Sequence, residues 1–555
     1  MKITSFISTI LLFVCMIATI LPAQVDKKRA SSKSRLMLSD VLVYGLDTQV
    51  RVSGSKLNIS GDKARLIQLS SAYQPFSFQT EINSQKEYIQ SSERSLDTIN
   101  KYFLGYGSYN EVHVSLLRWQ KIHLLNYTIG GKFHRSDGQY DNSQFRSGAF
   151  NGQFSYLARS RLRFQMDTDY ALRDYFLQGS LFQGHERKMR SFALKMGSYF
   201  RDLKNTYGSF NVHYDAFNLS NEVTSETFAS DVQEQTFVLT GQTFWALSNV
   251  QLSLKGSFLR NNLHSGEVQE QTDYISYLQA KGRYKYGSNL SFTFGIQLNN
   301  VSIETQDPET DIMPFGKVTY SQKNKWGFYI AGSHEYIYQT FQNLWRTNYF
   351  VADSLDRLAQ NVQYKIDIGT EFKFKEEWTA KANWKFKQIK HFAYFERTLN
   401  EDGAIADGLF GYYYLDRVKR MDIALTTDFA LTPQFIFTTN LNYVSFKVED
   451  DSVKDTDNKI PYLENLNSEL KLTYKFSDAT KVALSTKYVG SRRKHLEQTG
   501  SLAGHLLINL DFEKQYNRYV VLFINANNLS NQKYQIWDGY RELGINVMGG
   551  IKGKW

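Results

Sequence analysis

The chain has 555 residues, and its 65 lysines and arginines against 55 aspartates and glutamates give a net charge of +10 near neutral pH. No block of five or six like charges occurs, which argues against a nucleic-acid-binding tail. Cys15 is the single cysteine, so intrachain disulfides and multi-cysteine metal sites are excluded.

Residues 1–24 have the pattern of a secretory signal peptide. Lys2 supplies a positive start, residues 10–20 are apolar, and Pro22-Ala23 offers a small residue at a cleavage point. The apolar run is too short for a membrane-spanning helix, which needs about 20 residues. We therefore expect export and cleavage. Acylation at Cys15 is disfavoured because Val14 is larger than the residue normally found before an acylated cysteine.

Residues 25–104 follow a different pattern from the rest of the chain. Residues 40–45 (DVLVYG) form a short β-prone run, and residues 85–101 are polar with Ile89, Leu96 and Ile99 at roughly helical spacing. We interpret this stretch as an N-terminal periplasmic extension of some 80 residues, which lies either inside or beneath the structure formed by the remainder.

Residues 105–555 repeat an alternation of apolar and polar residues over ten to fifteen positions, interrupted by polar turns. Apolar positions of one example are Val362, Tyr364, Ile366, Ile368, Phe372 and Phe374. A period of two places such residues on one face of a strand and excludes a helix. The same alternation recurs around Phe435 to Tyr443, Leu470 to Phe476 and Leu506 to Phe512.

The strand candidates are roughly twice as long as the usual 5 to 6 residues of sandwich strands, which favours a transmembrane barrel. Short turns such as Ser248-Asn249 and Asp478-Ala479 tend to alternate with longer polar inserts at 179–188, 400–407 and 449–459. The sequence predicts an all-β protein with one large antiparallel barrel of about 22 strands, within a range of 16 to 24.

Composition agrees with this prediction. The chain contains 39 Phe, 36 Tyr and 8 Trp but only 6 Pro, and its mean hydropathy is −0.43. Barrel walls have low average hydropathy because lipid-facing and lumen-facing residues alternate, while aromatic residues collect at the membrane interfaces. The excess positive charge fits either a solvated mixed-charge surface or, less favoured, a cation-rich lumen or a contact with anionic lipid head groups.

The end of the chain has the pattern of a barrel assembly signal. Ile545, Val547, Ile551 and Trp555 share one face at a period of two, and Trp555 is the last residue. The alternative is that Trp555 has no role in assembly and is simply the last residue of a strand in a soluble protein. We expect the barrel assembly machinery of the outer membrane to recognise this aromatic end.

Three pieces of the last 145 or so residues resemble the barrel end of TonB-dependent receptors, especially those of Bacteroidetes-type bacteria. They are residues 417–425 (RVKRMDIAL), residues 460–463 (IPYL) with the strand pair ending at 488–492 (YVGSR), and residues 527–534 (NNLSNQKY) followed by Gly539-Tyr540. Their order is that of the family. The resemblance implies an outer-membrane barrel, a transport function and a TonB-type partner.

The N-terminal part departs from that family. TonB-dependent receptors carry a plug of roughly 120 to 150 residues with Arg-Gly and Asp-Gly signatures, and neither signature is found in the 80 or so residues before the first predicted strand. Residues 40–45 resemble the short strand that opens a plug or binds TonB, although an ordinary β-prone hexapeptide explains them better. The resemblance therefore implies a barrel that lacks its own plug, and that either passes a solute directly or is gated by a separate periplasmic plug or a TonB-type partner.

Enzyme signatures are not found. The ten histidines show no H-x-x-x-H or H-E-x-x-H spacing, no G-x-S-x-G motif occurs, and the acidic residues around Asp450 lack the spacing of a calcium loop. His505 and Ser485 are better explained as isolated wall residues than as a catalytic pair. We predict no enzyme activity, cofactor or metal site.

These observations predict a protein of the cell outer membrane, surrounded by lipid, that transports or admits a solute and binds no nucleic acid. The alternative is an envelope protein whose barrel anchors a periplasmic interaction segment.

Overall fold

The computed structural model describes residues 41–45, 48–52 and 98–555, with gaps at 160, 180–183, 202–205, 222–230, 266–268, 323–324, 354, 356, 376–377, 400–404 and 451–457. Two compact units are present, Met1–Gln68 and Leu69–Trp555. In the first, strands β1 (Val41–Gly45) and β2 (Thr48–Val52) form an antiparallel hairpin. The β-prone run at 40–45 is thus a strand from Val41. The predicted signal peptide and the question of a plug lie outside the described residues.

The second unit contains the remaining strands and one short helix. Numbered in chain order, the strands are β3 (Thr98–Gly107), β4 (Glu111–Ile122), β5 (Leu125–Ser136), β6 (Phe145–Arg159), β7 (Leu162–Phe176), β8 (Glu186–Arg201), β9 (Thr206–Asn221), β10 (Val232–Leu247), β11 (Val250–Ser265), β12 (Gln269–Tyr286), β13 (Leu290–Ile303), β14 (Gln306–Gln322), β15 (Trp326–Ile337), β16 (Gln360–Lys375), β17 (Trp378–Leu399), β18 (Ile405–Thr432), β19 (Phe435–Val448), β20 (Leu466–Ser477), β21 (Thr480–Val489), β22 (Arg492–Arg493), β23 (Ser501–Leu502), β24 (His505–Gln515), β25 (Val520–Asn527), β26 (Gln535–Trp537), β27 (Tyr540–Arg541) and β28 (Asn546–Lys554). Helix α1 (Phe341–Thr347) lies between β15 and β16, and a single 3-10 turn (Ser108–Asn110) joins β3 to β4.

Twenty-two of these strands form a closed antiparallel barrel, which confirms the predicted architecture and strand number. The barrel strands are β3 to β21, β24, β25 and β28, while β22–β23 and β26–β27 form two small hairpins in the loops. The ring closes where β28 pairs with β3, with Ile551 opposite Leu104. First and last strands are also joined by backbone bonds between Asn100 and Trp555, at 3.0 and 3.1 Å.

The two ends of the barrel differ. One end, called here the turn end, carries short connections such as Ser248-Asn249 and Asp478-Ala479, as predicted. The other end, called the loop end or mouth, carries the long connections, including residues 338–359, 490–504 and 528–545. The first barrel strand begins at Thr98, so Ile99 lies in a strand. The interpretation of its spacing from Ile89 and Leu96 as helical is therefore wrong at Ile99.

Alternation along the strands gives the barrel an apolar outer face. On β13, Phe294 and Ile296 are 61% and 56% exposed. Gly295 lies between them, and the polar residues Thr293 and Gln297 lie on either side. Large apolar side chains are exposed in the same way on nearly every barrel strand. Such a continuous apolar surface is costly in water and is typical of a wall that contacts lipid.

One predicted alternation is interrupted by a β-bulge on β16. The register shifts between Val362 and Tyr364, so the extra residue Gln363 reverses the face on which the preceding side chain lies. Val362 is therefore fully buried among apolar residues, whereas Ile366 and Phe372 are exposed on the outer face. The prediction that Val362 shares their face is wrong.

Candidate functional site: the closed mouth of the barrel

The connection between β15 and β16, residues 338–359, is called here the α1 loop. Its helix begins at Phe341 because Thr340 is an N-cap, whose hydroxyl accepts from the backbone N–H of Asn343 at 3.2 Å. Glu234 on the wall strand β10 accepts the backbone N–H groups of Phe341 and Gln342, both at 2.8 Å. A carboxylate at these free N–H groups stabilises the first turn and fixes the helix to the wall.

A buried arginine adds a second attachment of the α1 loop. The Arg357 guanidinium is 1% exposed and donates to Glu234 at 2.8 Å and to Asn261 on β11 at 2.7 Å. It also pairs with Asp273 on β12 at 3.1 Å. Tyr338, at the start of the loop, donates to Asp273 at 2.5 Å. Three adjacent wall strands thus hold both ends of the loop through one charged network.

Arg187 on β8 is the centre of a third attachment and is fully buried. It pairs with Asp353 and donates to the carbonyl oxygens of Val351 at 2.8 Å and Tyr349 at 3.2 Å. Asn221 on β9 donates to the other oxygen of Asp353 at 2.7 Å. A buried arginine without these acceptors would be strongly unfavourable, so the pair requires the loop to lie against the wall.

Apolar packing supports the charged contacts. The cluster contains the helix residues Phe341, Leu344 and Trp345 and wall residues of β7 to β11, namely Tyr175, Met189, Phe217, Leu219, Val232 and Leu263. The indole N–H of Trp345 donates to the Tyr175 hydroxyl at 2.9 Å. Burial of such aromatic groups contributes about 1.5–3 kcal/mol each.

The α1 loop reaches the opposite side of the ring. Ten strands separate β7 from β18 in each direction round the barrel, yet the loop contacts both. Tyr175 on β7 donates to the carbonyl oxygen of Tyr349 at 2.6 Å. Three residues further, Ala352 donates to Phe410 of β18 at 2.9 Å, and Phe410 donates to Phe350 at 3.0 Å. Because Phe410 lies on a part of β18 that extends beyond the wall, the loop and this extension together connect the two sides of the ring.

Phe410 belongs to a part of β17 and β18 that extends beyond the wall. Pairing of β17 with β16 ends at Lys390, and pairing of β18 with β19 ends at Val418, whereas β17 and β18 continue to pair with each other. This extension is called here the overhang (residues 391–399 and 405–417). His391, its first residue, has a φ of 55°, a conformation that costs free energy for a residue with a Cβ. It turns β17 where the strand leaves the wall.

The connection between β25 and β28, residues 528–545, contacts both the α1 loop and the overhang. Trp537 and Tyr540 pack against Phe410 and Tyr462, and the ring of Tyr540 stacks on Phe350 with centroids 3.4 Å apart. Arg397 of the overhang pairs with Asp538 at 3.0 Å and also donates to the carbonyl of Gly179 in the loop after β7. These contacts join the three segments at the mouth.

Asp538 is held by two cations. Burial raises the pKa of its carboxyl group, but the hydrogen bonds and charges of Lys494, at 2.7 Å, and of Arg397 outweigh burial and leave the pKa below its usual value. The carboxylate is therefore ionised at neutral pH and links the overhang to two loops.

The residues of the predicted assembly signal lie on the outer surface at the barrel seam. Val547 and Ile551 belong to β28 and Ile545 precedes it, and the ring of Trp555 lies 5.5 Å from that of Tyr102 on β3. Ile545, Val547 and Trp555 are exposed. Their recognition by assembly machinery stays a prediction.

Ser485 and His505 do not face each other, since Ser485 lies opposite Asn509 and His505 opposite Val489.

In the described part of the chain, no group of three or more His, Cys, Asp or Glu residues is placed to hold a metal ion. No helix there is long and apolar enough to span a membrane.

Several solved structures are similar to this chain. The copper transporter OprC matches at a TM-score of 0.66 and 14% identity over 83% of this chain and 81% of that one. The siderophore receptor PiuA from Acinetobacter baumannii matches at 0.66 and 9%, over 83% and 82%. The FrpB iron transporter from Neisseria meningitidis matches at 0.66 and 9%, over 85% and 84%.

The chain shares the barrel fold of these proteins. Identities of 9–14% show the fold alone, so copper, siderophores and iron are properties of those proteins. No protein-family model matches the sequence, and no curated protein sequence matches it.

Proposed function

We propose that the chain is an outer-membrane transport protein of the TonB-dependent receptor type, in which the α1 loop gates the outer mouth. The barrel fold supports this, because the similar solved structures are named as transporters and receptors. The three C-terminal motif pieces support it as well, since each falls on a barrel strand or its adjoining loop: residues 417–425 on β18, 460–463 and 488–492 around β20 and β21, and 527–534 after β25. Partners under this proposal are lipid, a TonB-type protein and a separate periplasmic plug.

The observation that carries the proposal is that the α1 loop contacts both β7 and the overhang of β18. A barrel of 22 strands encloses a wide interior, and a loop across its mouth decides what enters. Two buried ion pairs fix the loop in this position, Arg187 of the wall with Asp353 of the loop and Arg357 of the loop with Glu234 of the wall, and neither pair is a covalent link. The closed position is therefore one that a solute or partner can shift.

The test is the conductance of purified full-length protein in planar lipid bilayers. Replacing residues 341–352 with a Gly/Ser linker of equal length removes the crossing segment and leaves the wall intact. We expect a clear increase in single-channel conductance over the native chain. The control replaces Ser288 and Asn289, at the turn end between β12 and β13, with glycine and should leave conductance unchanged.

Equal conductance of the linker variant and the native protein would contradict a gate at the mouth. If, in addition, residues 25–97 crosslink reproducibly to another envelope protein, the alternative function as a membrane anchor would replace transport.

A further inference from the structure

Three arginines lie on the outer face of the barrel where the apolar wall reaches the loop end. Arg135 on β5, Arg146 on β6 and Arg190 on β8 are called here the outer arginine cluster. Side chains an even number of residues apart on a strand share a face. The cluster therefore shares the lipid-facing side of these strands with exposed rings two to four residues further from the loop end, namely Phe133, Phe150 and Phe192.

Strand register and one carboxylate hold the arginines together. Arg135 lies directly opposite Arg146, and Arg146 lies directly opposite Asp174 of β7. Asp174 pairs with Arg146 through one oxygen and with Arg190 through the other, each at 2.6 Å. The Asp174 side chain is 3% exposed, whereas that of Arg146 is 57% exposed. Two guanidinium groups thus cover one carboxylate from the outside.

The ion pairs of the cluster are compatible with a further acceptor. Arg146 binds Asp174 through Nε and Nη2, at 2.7 and 2.6 Å, and Arg135 binds Asp137 through Nη2 at 3.0 Å. A guanidinium group has five N–H donors in a planar fork, so these contacts use only part of each group. Phosphate matches that fork, because its oxygens accept two N–H groups side by side.

The cluster gives this part of the outer face an excess of positive charge. Its three arginines face Asp174 and Asp137, and the adjacent Lys188 pairs with Glu186 at 3.1 Å. The next two strands are uncharged at the same level, where Arg190 lies opposite Asn218 of β9 and Asn218 lies opposite Gln233 of β10. The positive charge is therefore concentrated over β5 to β8.

The wall below the cluster has room for a hydrocarbon chain. Gly131 lies on the outward face of β5 beside Phe133, and directly opposite Phe150. A Cβ added at Gly131 would meet one atom within 4 Å, the carbonyl oxygen of Ala149 at 3.9 Å. The surface between the two exposed rings is therefore indented, and an apolar chain that lies there buries apolar area on both sides.

We infer that the outer arginine cluster binds the phosphate head group of a lipid in the outer leaflet, with an acyl chain along Phe133, Gly131 and Phe150. The inference rests on the proposed function for the orientation of the barrel, in which the long loops face the cell exterior. Lipid is favoured over free phosphate because the arginines adjoin the apolar outer face, and basic side chains just beyond a lipid-facing surface are placed for anionic head groups.

Native mass spectrometry of the full-length protein in nonionic detergent tests this site. The probe is dioleoyl phosphatidate, and dioleoylglycerol has the same chains without the phosphate. We expect the native chain to bind phosphatidate at least about tenfold more tightly than dioleoylglycerol, equivalent to about 1.4 kcal/mol. Equal binding of the two lipids would overturn the inference. Orthophosphate binding as tight as that of phosphatidate would show an anion site without a lipid, and would overturn it as well.

Two variants locate the binding. The triple variant Arg146→Gln, Arg190→Gln and Asp174→Asn removes both cations together with the carboxylate that they cover, so that no buried charge is left alone. It should lose the preference for phosphatidate. Arg135→Gln leaves the ion pairs of Asp174 intact, and it should raise Kd about threefold or more through the loss of one charged donor. Native affinity in Arg135→Gln and in a triple variant that migrates as a heat-modifiable barrel would contradict the site.

The matched control is the double variant Arg118→Gln with Arg260→Gln. Both arginines are exposed and share outward strand faces with the exposed residues Leu116 and Phe258, but they lie on β4 and β11, away from the cluster. Phosphatidate binding should stay within about twofold of the native value, because distant exposed charges are screened. Equal weakening in the control and the triple variant would mean that only the overall charge matters, which contradicts a defined site.

Conductance of the linker variant is a separate readout from lipid binding. A barrel that binds phosphatidate but does not conduct contradicts the transport proposal alone. A barrel that conducts but does not distinguish phosphatidate from dioleoylglycerol contradicts the lipid site alone.

Discussion

At the scale of single residues, a few polar side chains determine the shape of the mouth. Asn528 has a φ of 50°, and its amide donates to the carbonyls of Gln532 and Leu543 at 2.9 and 3.1 Å. Its side-chain oxygen accepts from the backbone of Gln532 at 3.0 Å. The asparagine of the resembling motif therefore has a structural role, since it folds the turn from which residues 528–545 reach the mouth.

Ionisation of the Asp538 carboxyl group makes the contacts between the loops at the mouth depend on pH. A carboxyl group whose folded-state pKa lies below its unfolded value contributes stability above the unfolded pKa, and that contribution is lost as pH falls through the folded pKa. The pKa of Asp538 is lowered in this way by Lys494 and Arg397. We expect amide hydrogen exchange in residues 528–545 to quicken as pH falls below about 4, after correction for intrinsic exchange rates. Asp538→Asn should show fast exchange at every pH, and an unchanged pH profile in that variant would contradict the role.

Sequence alone predicts some of these residues and not others. The Asn527 to Tyr534 motif is visible as a pattern, but its bonds to Leu543 are not. Glu234, Asp273 and Arg357 look like ordinary charges in the sequence, because the network that buries them joins positions up to 123 residues apart. A local signal for the α1 loop does exist: Thr340 precedes Phe341, Leu344 and Trp345 at helical spacing.

At the scale of elements, the strands could be predicted because each long alternation needs only a lipid face and an interior face. The β16 bulge could not, since one extra residue leaves the apolar count unchanged and reverses only the orientation of Val362. The overhang could not be predicted either, because the residues of β17 and β18 beyond the wall still alternate and still pair with each other. What distinguishes the overhang from the wall is that its residues do not pair with β16 or β19, and this cannot be read from their composition.

The attachment of the α1 loop can be tested at Arg357. The variant Arg357→Ala leaves Glu234 and Asp273 buried without their cation, which costs about 3–5 kcal/mol for a buried pair. Hydrogen exchange in residues 338–353 should become faster while the wall strands stay protected.

Lys419→Ala is the control for this variant, because Lys419 also forms an ion pair at the loop end, with Glu449 at 2.6 Å, but is 32% exposed. Its loss should cost less than about 1 kcal/mol and leave exchange in the α1 loop unchanged. Similar exchange in both variants would mean that apolar packing alone holds the loop.

At the scale of the whole molecule, the ring is closed by the pairing of its first and last strands. Met548 to Lys554 of β28 pair with β3, and Trp555 adds backbone bonds to Asn100. The closed barrel could be predicted from the sequence because every strand shows the same alternation, whereas the closed mouth depends on contacts between distant loops.

Trp555→Asp tests the seam and the predicted assembly signal together. A charge in place of the exposed indole weakens the contact with Tyr102 and removes the terminal aromatic group. We expect less heat-modifiable barrel in outer-membrane fractions and more periplasmic aggregate. Trp378→Asp, another exposed tryptophan near the turn end, controls for a general effect of charge there. Unchanged barrel yield with Trp555→Asp would contradict the signal.

The α1 loop also has a consequence for the order of folding. Its anchors lie on β8 to β12, which precede it in the chain, but its contact across the opening is with β18 and Tyr540, which follow it. The loop cannot adopt its final position until the wall on both sides of it has formed. Resistance of residues 338–353 to external protease would therefore appear last during biogenesis and report that a barrel is complete.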